Sequence, residues 1–169
     1  EIIGWINSDD TYNENALKNI AIAFNNNPNI DVIYGKALHV DENDEIIDEY
    51  GTAYWDKALL LHQCFICQPA LFFRRKIIQR VGLLDEGLNF CMDYEYWIRL
   101  SKSGCQFGYL NEIVANSRLY KENKTLFNRS AVHKEIVEML KRETGWVSVH
   151  WIKAYSSTIV RNRYKDSNK

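Results

Sequence analysis

The stretch "GWINSDDTYNENALKNI", residues 4–20, contains the transition that decides the fold, from a hydrophobic segment through a polar loop into an amphipathic segment. Residues 2–7 are predicted to form a short buried strand. Apolar side chains then recur at helical spacing and predict a helix over about 13–27, with Thr11 or Asn13 as its N-cap. A strand followed directly by a helix is typical of α/β proteins.

The remainder of the chain continues this alternation. The predicted elements are a strand at 31–35, a hairpin turning at 42–44, an extended segment at 68–75, helices ending at Gly82 and Gly104, a strand with a turn or two short strands over 106–120, and helices over about 127–144 and 147–163. The pattern predicts an α/β fold with a mixed sheet.

The composition narrows the classes of function. A length of 169 residues fits one domain, and a hydrophobic content of 46% is sufficient for a core. Residues 1–60 carry 12 acidic against 3 basic side chains, although the net charge is only −1. Such a surface repels nucleic acid and favours cations, so no nucleic-acid partner is expected. No apolar run approaches the roughly 18 residues of a membrane span, and no signal peptide is recognised.

Four cysteines raise the question of a metal site. Cys64 and Cys67 form a CxxC pair, but Cys91 and Cys105 do not form a second one. A structural zinc site needs four convergent ligands, so buried reduced thiols are the favoured interpretation. Reduced thiols, together with the missing signal peptide, predict a cytoplasmic protein.

Asp9 and Asp10 directly follow the first predicted strand. Adjacent carboxylates repel each other, and a nearby cation relieves this repulsion. Ligands of open α/β sheets bind at this end of the strands, and Mg²⁺ commonly combines one or two carboxylates with substrate phosphates. Helix capping by Asp10 or Thr11 is the structural alternative, and the two carboxylates alone do not decide between these interpretations.

A second group lies in "CMDYEYWIRL", residues 91–100, where Asp93 stands at the start of a predicted helix. The helix dipole stabilises an ionised carboxylate there, which suits a general base. An ordinary N-cap is the structural alternative. Glu95 faces another side of the helix, where it is either solvated or in contact with a substrate.

A third group is basic. Arg118, Lys121 and Lys124 lie within "ANSRLYKENKT", a predicted loop. Three basic side chains at this spacing suit a clamp for diphosphate oxygens. Three basic side chains in a loop more often form an ordinary solvated surface, so these residues alone do not establish the clamp.

Five sequence blocks occur in one order: "GWINSDD", "DVIYG", "QPALFFRR", "VGLLDEGL" followed by "MDYEYWIRL", and "ANSRLY". Together they resemble glycosyltransferase family 2, the nucleotide-sugar transferases with the GT-A fold. The resemblance covers about residues 1–125. It implies that the metal-binding motif falls on Asn7 to Asp10, with Asp10 and Asp9 as ligands of Mn²⁺ or Mg²⁺. It also implies that Asp93 is the catalytic base.

The resemblance implies further substrate contacts at Asn7, Gln68, Glu95, Arg118 and Tyr120. Tyr120 stands where the family usually has a histidine, and Gln68 is equally well explained as a buried amide. The strand–helix units that precede these blocks in the family have no counterpart in the sequence. We therefore expect a partial GT-A fold with little activity on its own, with the acceptor-side portion of the domain over 1–125 and a helical extension over 126–169.

The implied reaction moves a sugar from a nucleotide-diphosphate donor to a glycan or lipid-linked acceptor hydroxyl, with inversion. A non-catalytic module that retains the fold for binding or scaffolding is the main alternative, and a metal-dependent phosphoesterase is a third. The aromatic and basic stretch 146–169 either lies against the inner face of an anionic membrane or packs on the domain as a helix.

Overall fold

The computed structural model describes residues 1–120 and 128–166. Within these residues, one sheet contains the strands β1 Ile2–Gly4, β2 Thr11–Tyr12, β3 Val32–Val40, β4 Ile46–Glu49, β5 Leu71–Arg74 and β6 Phe107–Arg118. The helices are α1 Ala16–Asn26, α2 Lys57–Leu60, α3 Ile78–Val81, α4 Met92–Lys102, α5 Arg129–Thr144 and α6 Val149–Asp166. Short 3₁₀ turns at Gln68–Ala70 and Arg75–Ile77 precede β5 and α3.

The sheet has the order β1-β5-β3-β6-β2, and β4 pairs with the second half of β3. Strand β3 pairs with β5 through Val32–Tyr34 and with β4 through Leu38–Val40. On its other side β3 runs parallel to β6, whereas the other described pairs are antiparallel. The predicted mixed sheet is therefore confirmed. The predicted hairpin is confirmed as well, and its two strands are the second half of β3 and β4.

Helices cover both faces of the sheet because the side chains of β3 alternate between two cores. Ile33 and Ala37 pack with Phe24 of α1 on one face. Val32 and Tyr34 point to the opposite face, which is covered by the aromatic side chains of α4 and by α5 and α6. The resulting three layers place the start of α4 close to the ends of β3 and β6.

Helix α1 begins later than the sequence predicts. Its N-cap is Asn15, which has a φ of 62° and makes no side-chain capping hydrogen bond. Thr11 instead lies in β2, where it pairs with β6. Capping by Thr11, Asn13 or Asp10 is therefore wrong, and the first strand ends early, at Gly4.

Strand β6 is continuous over 12 residues, so the expected turn or pair of short strands is wrong. Its register against β3 shifts around Gly35 and Lys36, and this shift lets the pairing continue on both sides. Gly35 is required for the close approach, since a Cβ there would lie 2.8 Å from Val114 Cγ2 and 2.9 Å from the carbonyl oxygen of Glu112. Because β6 is continuous, Arg118 at its end lies beside Val40, the last residue of β3.

The two predicted C-terminal helices are confirmed as α5 and α6, which are separated at Gly145. Helix α5 packs against α4, and α6 packs against α5. Across the two described ranges, no helix combines the length and apolar character that a membrane crossing requires.

Candidate active site

A cavity of about 710 Å³ opens where the Asp9–Asp10 loop, the ends of β3 and β6, and the start of α4 meet. The fold gathers most of the residues singled out from the sequence around it: Asn7, Asp9, Asp10, Gln68, Asp93 and Arg118 all line its wall. These residues come from four separate segments of the chain. The cavity is therefore the candidate active site.

Asp10 is held at the cavity wall by a network of hydrogen bonds. The backbone N–H of Arg118 donates to Asp10 Oδ1 at 3.0 Å, and the Asn7 amide donates to Asp10 Oδ2 at 3.2 Å. The same amide donates to Gln68 Oε1 at 2.9 Å, and Gln68 donates to the carbonyl oxygen of Trp5. Gln68 is thus an amide bonded to backbone and also a part of the cavity wall.

The Arg118 guanidinium ties the Asp9–Asp10 loop to the turn between β3 and β4. It donates to the carbonyl oxygens of Asp9 at 3.0 Å and Asp41 at 2.6 Å, and to the carboxylate of Asp44 at 2.5 Å. Tyr120 donates its hydroxyl to Asp9 Oδ2 at 3.0 Å. Both residues therefore help to hold the aspartate loop in place.

The basic clamp predicted after β6 is only partly contained in the described residues. Arg118 is the last residue of β6, so its expected position in a loop is wrong. Lys121 and Lys124 lie outside the described residues. The diphosphate clamp stays a prediction.

The two carboxylates of the loop fit one kind of cation site. Burial raises the pKa of Asp10, and the adjacent Asp9 adds to this, while the Arg118 N–H opposes it. A divalent cation would relieve both the burial and the repulsion. In the described part of the chain, no three His, Cys, Asp or Glu side chains are arranged to hold a metal ion. Asp9 and Asp10 therefore fit a cation whose other ligands are phosphate and water oxygens, as is usual for Mg²⁺.

Asp93 lines another part of the cavity wall, as the second residue of α4. Its carboxylate accepts a hydrogen bond from the Tyr94 N–H at 2.7 Å. Burial raises the pKa of Asp93 to about 6, although this N–H lowers it. The N-cap of α4 is Cys91, so the capping interpretation of Asp93 is wrong. The group is ionised at neutral pH and more basic than an exposed aspartate, which suits proton abstraction.

Glu95 does not lie in the cavity wall. It is only 1% exposed, and its two carboxylate oxygens accept hydrogen bonds from Arg99 at 2.7 and 2.8 Å. Arg99 also donates to the carbonyl oxygen of Val81, which ties α4 to α3. The expectation that Glu95 is solvated or contacts a substrate is therefore corrected: its charge is neutralised within α4, one turn along the helix.

Other residues of the cavity were not identified from the sequence. The hairpin of β3 and β4 contributes His39 and Asp48, followed by Tyr50, and the helical layer contributes His133 and Trp151. A regular hairpin around the predicted turn would pair His39 with Ile47, and the register shift between His39 and Val40 brings Asp48 opposite His39 instead, so strand alternation alone does not predict this pair. The helical residues depend on the packing of α5 and α6, for which the sequence gives no local signal.

Three of the four cysteines also lie at the cavity. Cys64, Cys67 and Cys91 are free thiols that line its wall, close enough to Asp93 to interact with it electrostatically. Burial is the main cause of a raised pKa in all three, so they are protonated at neutral pH. They contribute weakly polar walls rather than charge next to the carboxylate.

Sequence comparisons lead to glycosyltransferases. The O-antigen biosynthesis protein RfbC of Myxococcus xanthus is 24% identical over 118 residues, which are 70% of this chain and 9% of RfbC. The uncharacterized glycosyltransferase RT0329 of Rickettsia typhi is 24% identical over 138 residues, covering 74% of this chain and 42% of that protein. For the uncharacterized glycosyltransferase MJ1057 of Methanocaldococcus jannaschii, the identity is 24% over 98 residues, covering 56% and 33%. The chain spans less than half the length of these relatives, and no family model matches it.

The fold also has a relative among solved structures. The crystal structure of S. aureus TarS matches with a TM-score of 0.53, over 87% of this chain and 29% of TarS, at 13% sequence identity. Such a low identity establishes the fold alone. The architecture is a partial GT-A-like fold, as expected.

Proposed function

We propose that this chain supplies the acceptor-side part of an inverting glycosyltransferase, which moves a sugar from a nucleoside-diphosphate donor to an acceptor hydroxyl. The observation that carries the proposal is the single cavity that gathers Asp9, Asp10 and Asp93. Relatives named as glycosyltransferases support the same class of reaction. Because the chain spans less than half of these relatives, further donor contacts are assigned to other parts of a longer protein.

Asp93 is the proposed general base. Its pKa of about 6, raised by burial, leaves it ionised and basic at neutral pH. It would take the proton of the acceptor hydroxyl as the oxygen attacks the anomeric carbon, while the bond from that carbon to the diphosphate oxygen breaks. This single displacement inverts the configuration, and a positioned base contributes about 10²–10⁴-fold to such a rate. Gln68, on the same cavity wall, is a proposed sugar contact.

Asp9 and Asp10 form the proposed leaving-group side of the cavity. The Asn7 amide and the Arg118 N–H hold the Asp10 carboxylate, and the Tyr120 hydroxyl holds that of Asp9. Both carboxylates are therefore oriented before a donor binds, which lowers the cost of assembling the site. When bound, Mn²⁺ or Mg²⁺ would offset the negative charge that develops on the diphosphate.

The proposed acceptor is a glycan or a sugar linked to a membrane lipid, and the exposed side chains of α6 support the lipid-linked form. One face of α6 places Trp151 in the cavity wall. The opposite face exposes Val149, Ile152 and Val160, with exposed fractions of 62%, 48% and 52%. Residues 144–165 contain no acidic residue and four Lys or Arg. Apolar side chains among basic ones suit the surface of an anionic membrane.

The test of this function is the release of nucleoside diphosphate from a panel of nucleotide sugars by the chain together with its native upstream sequence. Release by the wild type is expected to require Mn²⁺. Asp10→Asn keeps the size of the side chain but removes its charge, and we expect release to fall about a hundredfold or more. Glu14→Gln is the matched control, because it removes an exposed negative charge close in sequence but outside the cavity.

Equal release by Asp10→Asn and the wild type would contradict the role assigned to Asp10. A folded wild type that neither turns over nor binds any nucleotide sugar with Mn²⁺ would contradict the transferase itself. That result would favour the alternative, a binding or scaffolding module that retains the fold.

A further inference from the structure

The hairpin of β3 and β4 holds a histidine in a fixed orientation. The antiparallel register places His39 directly opposite Asp48, and the His39 Nδ1 lies 2.6 Å from Asp48 Oδ1. The ring of Tyr50 packs against the imidazole with ring centroids 5.5 Å apart and an interplanar angle of 68°. Tyr50 is itself fixed, because its hydroxyl donates to the carbonyl oxygen of Cys64 at 2.7 Å. The imidazole is therefore held by a hydrogen bond at one nitrogen and by contact with the ring of Tyr50.

This contact decides which ring nitrogen of His39 is available. An ionised carboxylate only accepts hydrogen bonds, so the Nδ1 that faces Asp48 must carry the hydrogen. In the neutral imidazole the other nitrogen, Nε2, then carries a lone pair and is an acceptor. Among the described residues, His39 Nε2 has no hydrogen-bond partner.

The position of His39 places this acceptor nitrogen at the candidate active site. His39 and Asp48 line the same cavity as Asp10 and Asp93. In the parallel pairing of β3 with β6, His39 lies beside Ser117, which directly precedes Arg118, the residue whose backbone N–H donates to the Asp10 carboxylate. The imidazole thus stands one strand away from the proposed leaving-group side.

We propose that His39 is a sugar-binding residue of the cavity, whose Nε2 accepts a hydrogen bond from a sugar hydroxyl, and that Asp48 is its positioning residue. The ligand chemistry is a neutral hydroxyl, since a lone pair does not bind phosphate oxygens. Both the donor sugar and the acceptor carry such hydroxyls. The inference rests on the proposed function, because it assigns a substrate contact to that same site.

The experiment compares His39→Phe, Asp48→Ala, the double variant and Glu49→Gln with the wild type, all carrying the native upstream sequence. The probes are the nucleotide sugar that the wild type turns over and its analogues lacking one hydroxyl each. Hydrolysis of the donor without an acceptor reports on donor contacts, and transfer to an acceptor reports on both. Glu49→Gln is the control, because it removes a neighbouring charge that pairs with Lys36 at 3.3 Å, outside the cavity.

We expect kcat/KM to fall about tenfold in His39→Phe, the cost of one lost hydrogen bond to the substrate. If the hydroxyl belongs to the donor sugar, one deoxy analogue should react equally with His39→Phe and the wild type, which identifies that hydroxyl. A defect in both hydrolysis and transfer assigns that hydroxyl to the donor, and a defect in transfer alone assigns it to the acceptor. Asp48→Ala should lower the rate less, and the double variant should be no slower than His39→Phe.

Two results would overturn the inference. If His39→Phe stays within twofold of Glu49→Gln on every substrate, His39 makes no substrate contact, although the transferase itself stands. If the folded wild type turns over no nucleotide sugar, the proposed function fails and this inference fails with it. Thermal unfolding of each variant separates a loss of contact from a loss of fold.

Discussion

Burial of the Asp93 carboxylate makes the group more basic and also destabilises the folded state at neutral pH. Its pKa is raised from 3.8 to about 6, so the folded protein keeps a proton that the unfolded chain releases between these values. The stability that this proton contributes is present below about pH 4 and is lost as the pH rises through about 6. The difference of two pKa units corresponds to about 3 kcal/mol.

Asp93→Asn should therefore raise the free energy of unfolding at pH 8 by about 2–3 kcal/mol, because the amide has no charge to bury. At pH 4 Asp93 is protonated in the folded protein, and the two proteins should differ little. Urea unfolding at both pH values tests this, with Glu14→Gln as the control for a lost surface charge. A gain as large at pH 4 as at pH 8 would contradict the account.

Asp9, Asp10 and Asp93 can be recognised from the sequence because acids directly after an apolar segment and at a helix start stand out from the apolar pattern. The sequence cannot show that Glu95 is buried, because this depends on Arg99 reaching both Glu95 and the end of α3. The environment of a single residue can therefore be predicted from the sequence where its own helix or strand determines that environment. It cannot be predicted where contacts with another helix or strand determine it, as for Glu95.

At the scale of elements, α5 stabilises the segment that leads into α4. The Glu135 carboxylate accepts hydrogen bonds from the N–H groups of Asn89, Phe90 and Cys91 at 2.8, 2.7 and 3.0 Å. Burial acts to raise the pKa of Glu135, but these N–H groups outweigh it and hold the pKa below its usual value. Asp93 lies two residues after Cys91, the last residue of this segment, so α5 helps to position the proposed base.

Glu135→Gln should lower the free energy of unfolding at pH 7 by about 1–3 kcal/mol, because a charged acceptor of three hydrogen bonds is lost. The lowered pKa means that this stability is present above the usual value of 4.5 and is lost as the pH falls below it. The deficit should therefore shrink at pH 3 in urea unfolding. Glu138→Gln, exposed on the same helix, is the control, and a deficit independent of pH would contradict the assignment.

The outward face of α6 should bind vesicles that contain anionic lipid. The double change Ile152→Glu and Val160→Glu removes exposed apolar surface and adds negative charge, so we expect most of the binding to be lost. Cosedimentation with phosphatidylcholine vesicles, with and without phosphatidylglycerol, measures this. Leu17→Glu on α1, also an exposed apolar side chain, is the control. No binding to anionic vesicles at low salt, or self-association abolished by the double change, would contradict a membrane partner.

Periodicity and glycine positions predict α4, α5, α6 and the hairpin, because these elements are decided by local sequence. The continuous β6 and the late start of α1 are not predictable in this way. Strand β6 is kept in one piece by its pairing with β3, and Thr11 is drawn out of the helix by pairing with β6. Tertiary hydrogen bonding prevails over the local turn and capping signals at both places.

At the scale of the whole molecule, the cavity draws its walls from both ends of the chain. Asp9 lies near one end, Asp93 in the middle and Trp151 in the last helix. The domain boundary predicted at residue 125 stays a prediction. The helical extension that follows it contributes Trp151 to the cavity wall. The spacing of distant segments in the sequence does not determine which side chains meet in the fold. A site shared by these motifs could therefore be predicted only from the family resemblance.

The central claim is that Asp93 performs base catalysis of glycosyl transfer in this cavity. The measurement is the pH dependence of transfer by the wild type and Asp93→Asn, with the donor found in the panel of nucleotide sugars. We expect the wild-type rate to rise with pH through about 6, as Asp93 loses its proton. We also expect a loss of about 10²–10⁴-fold in Asp93→Asn, with that rise abolished. A variant that stays within about tenfold of the wild type and keeps the same rise would contradict the claim.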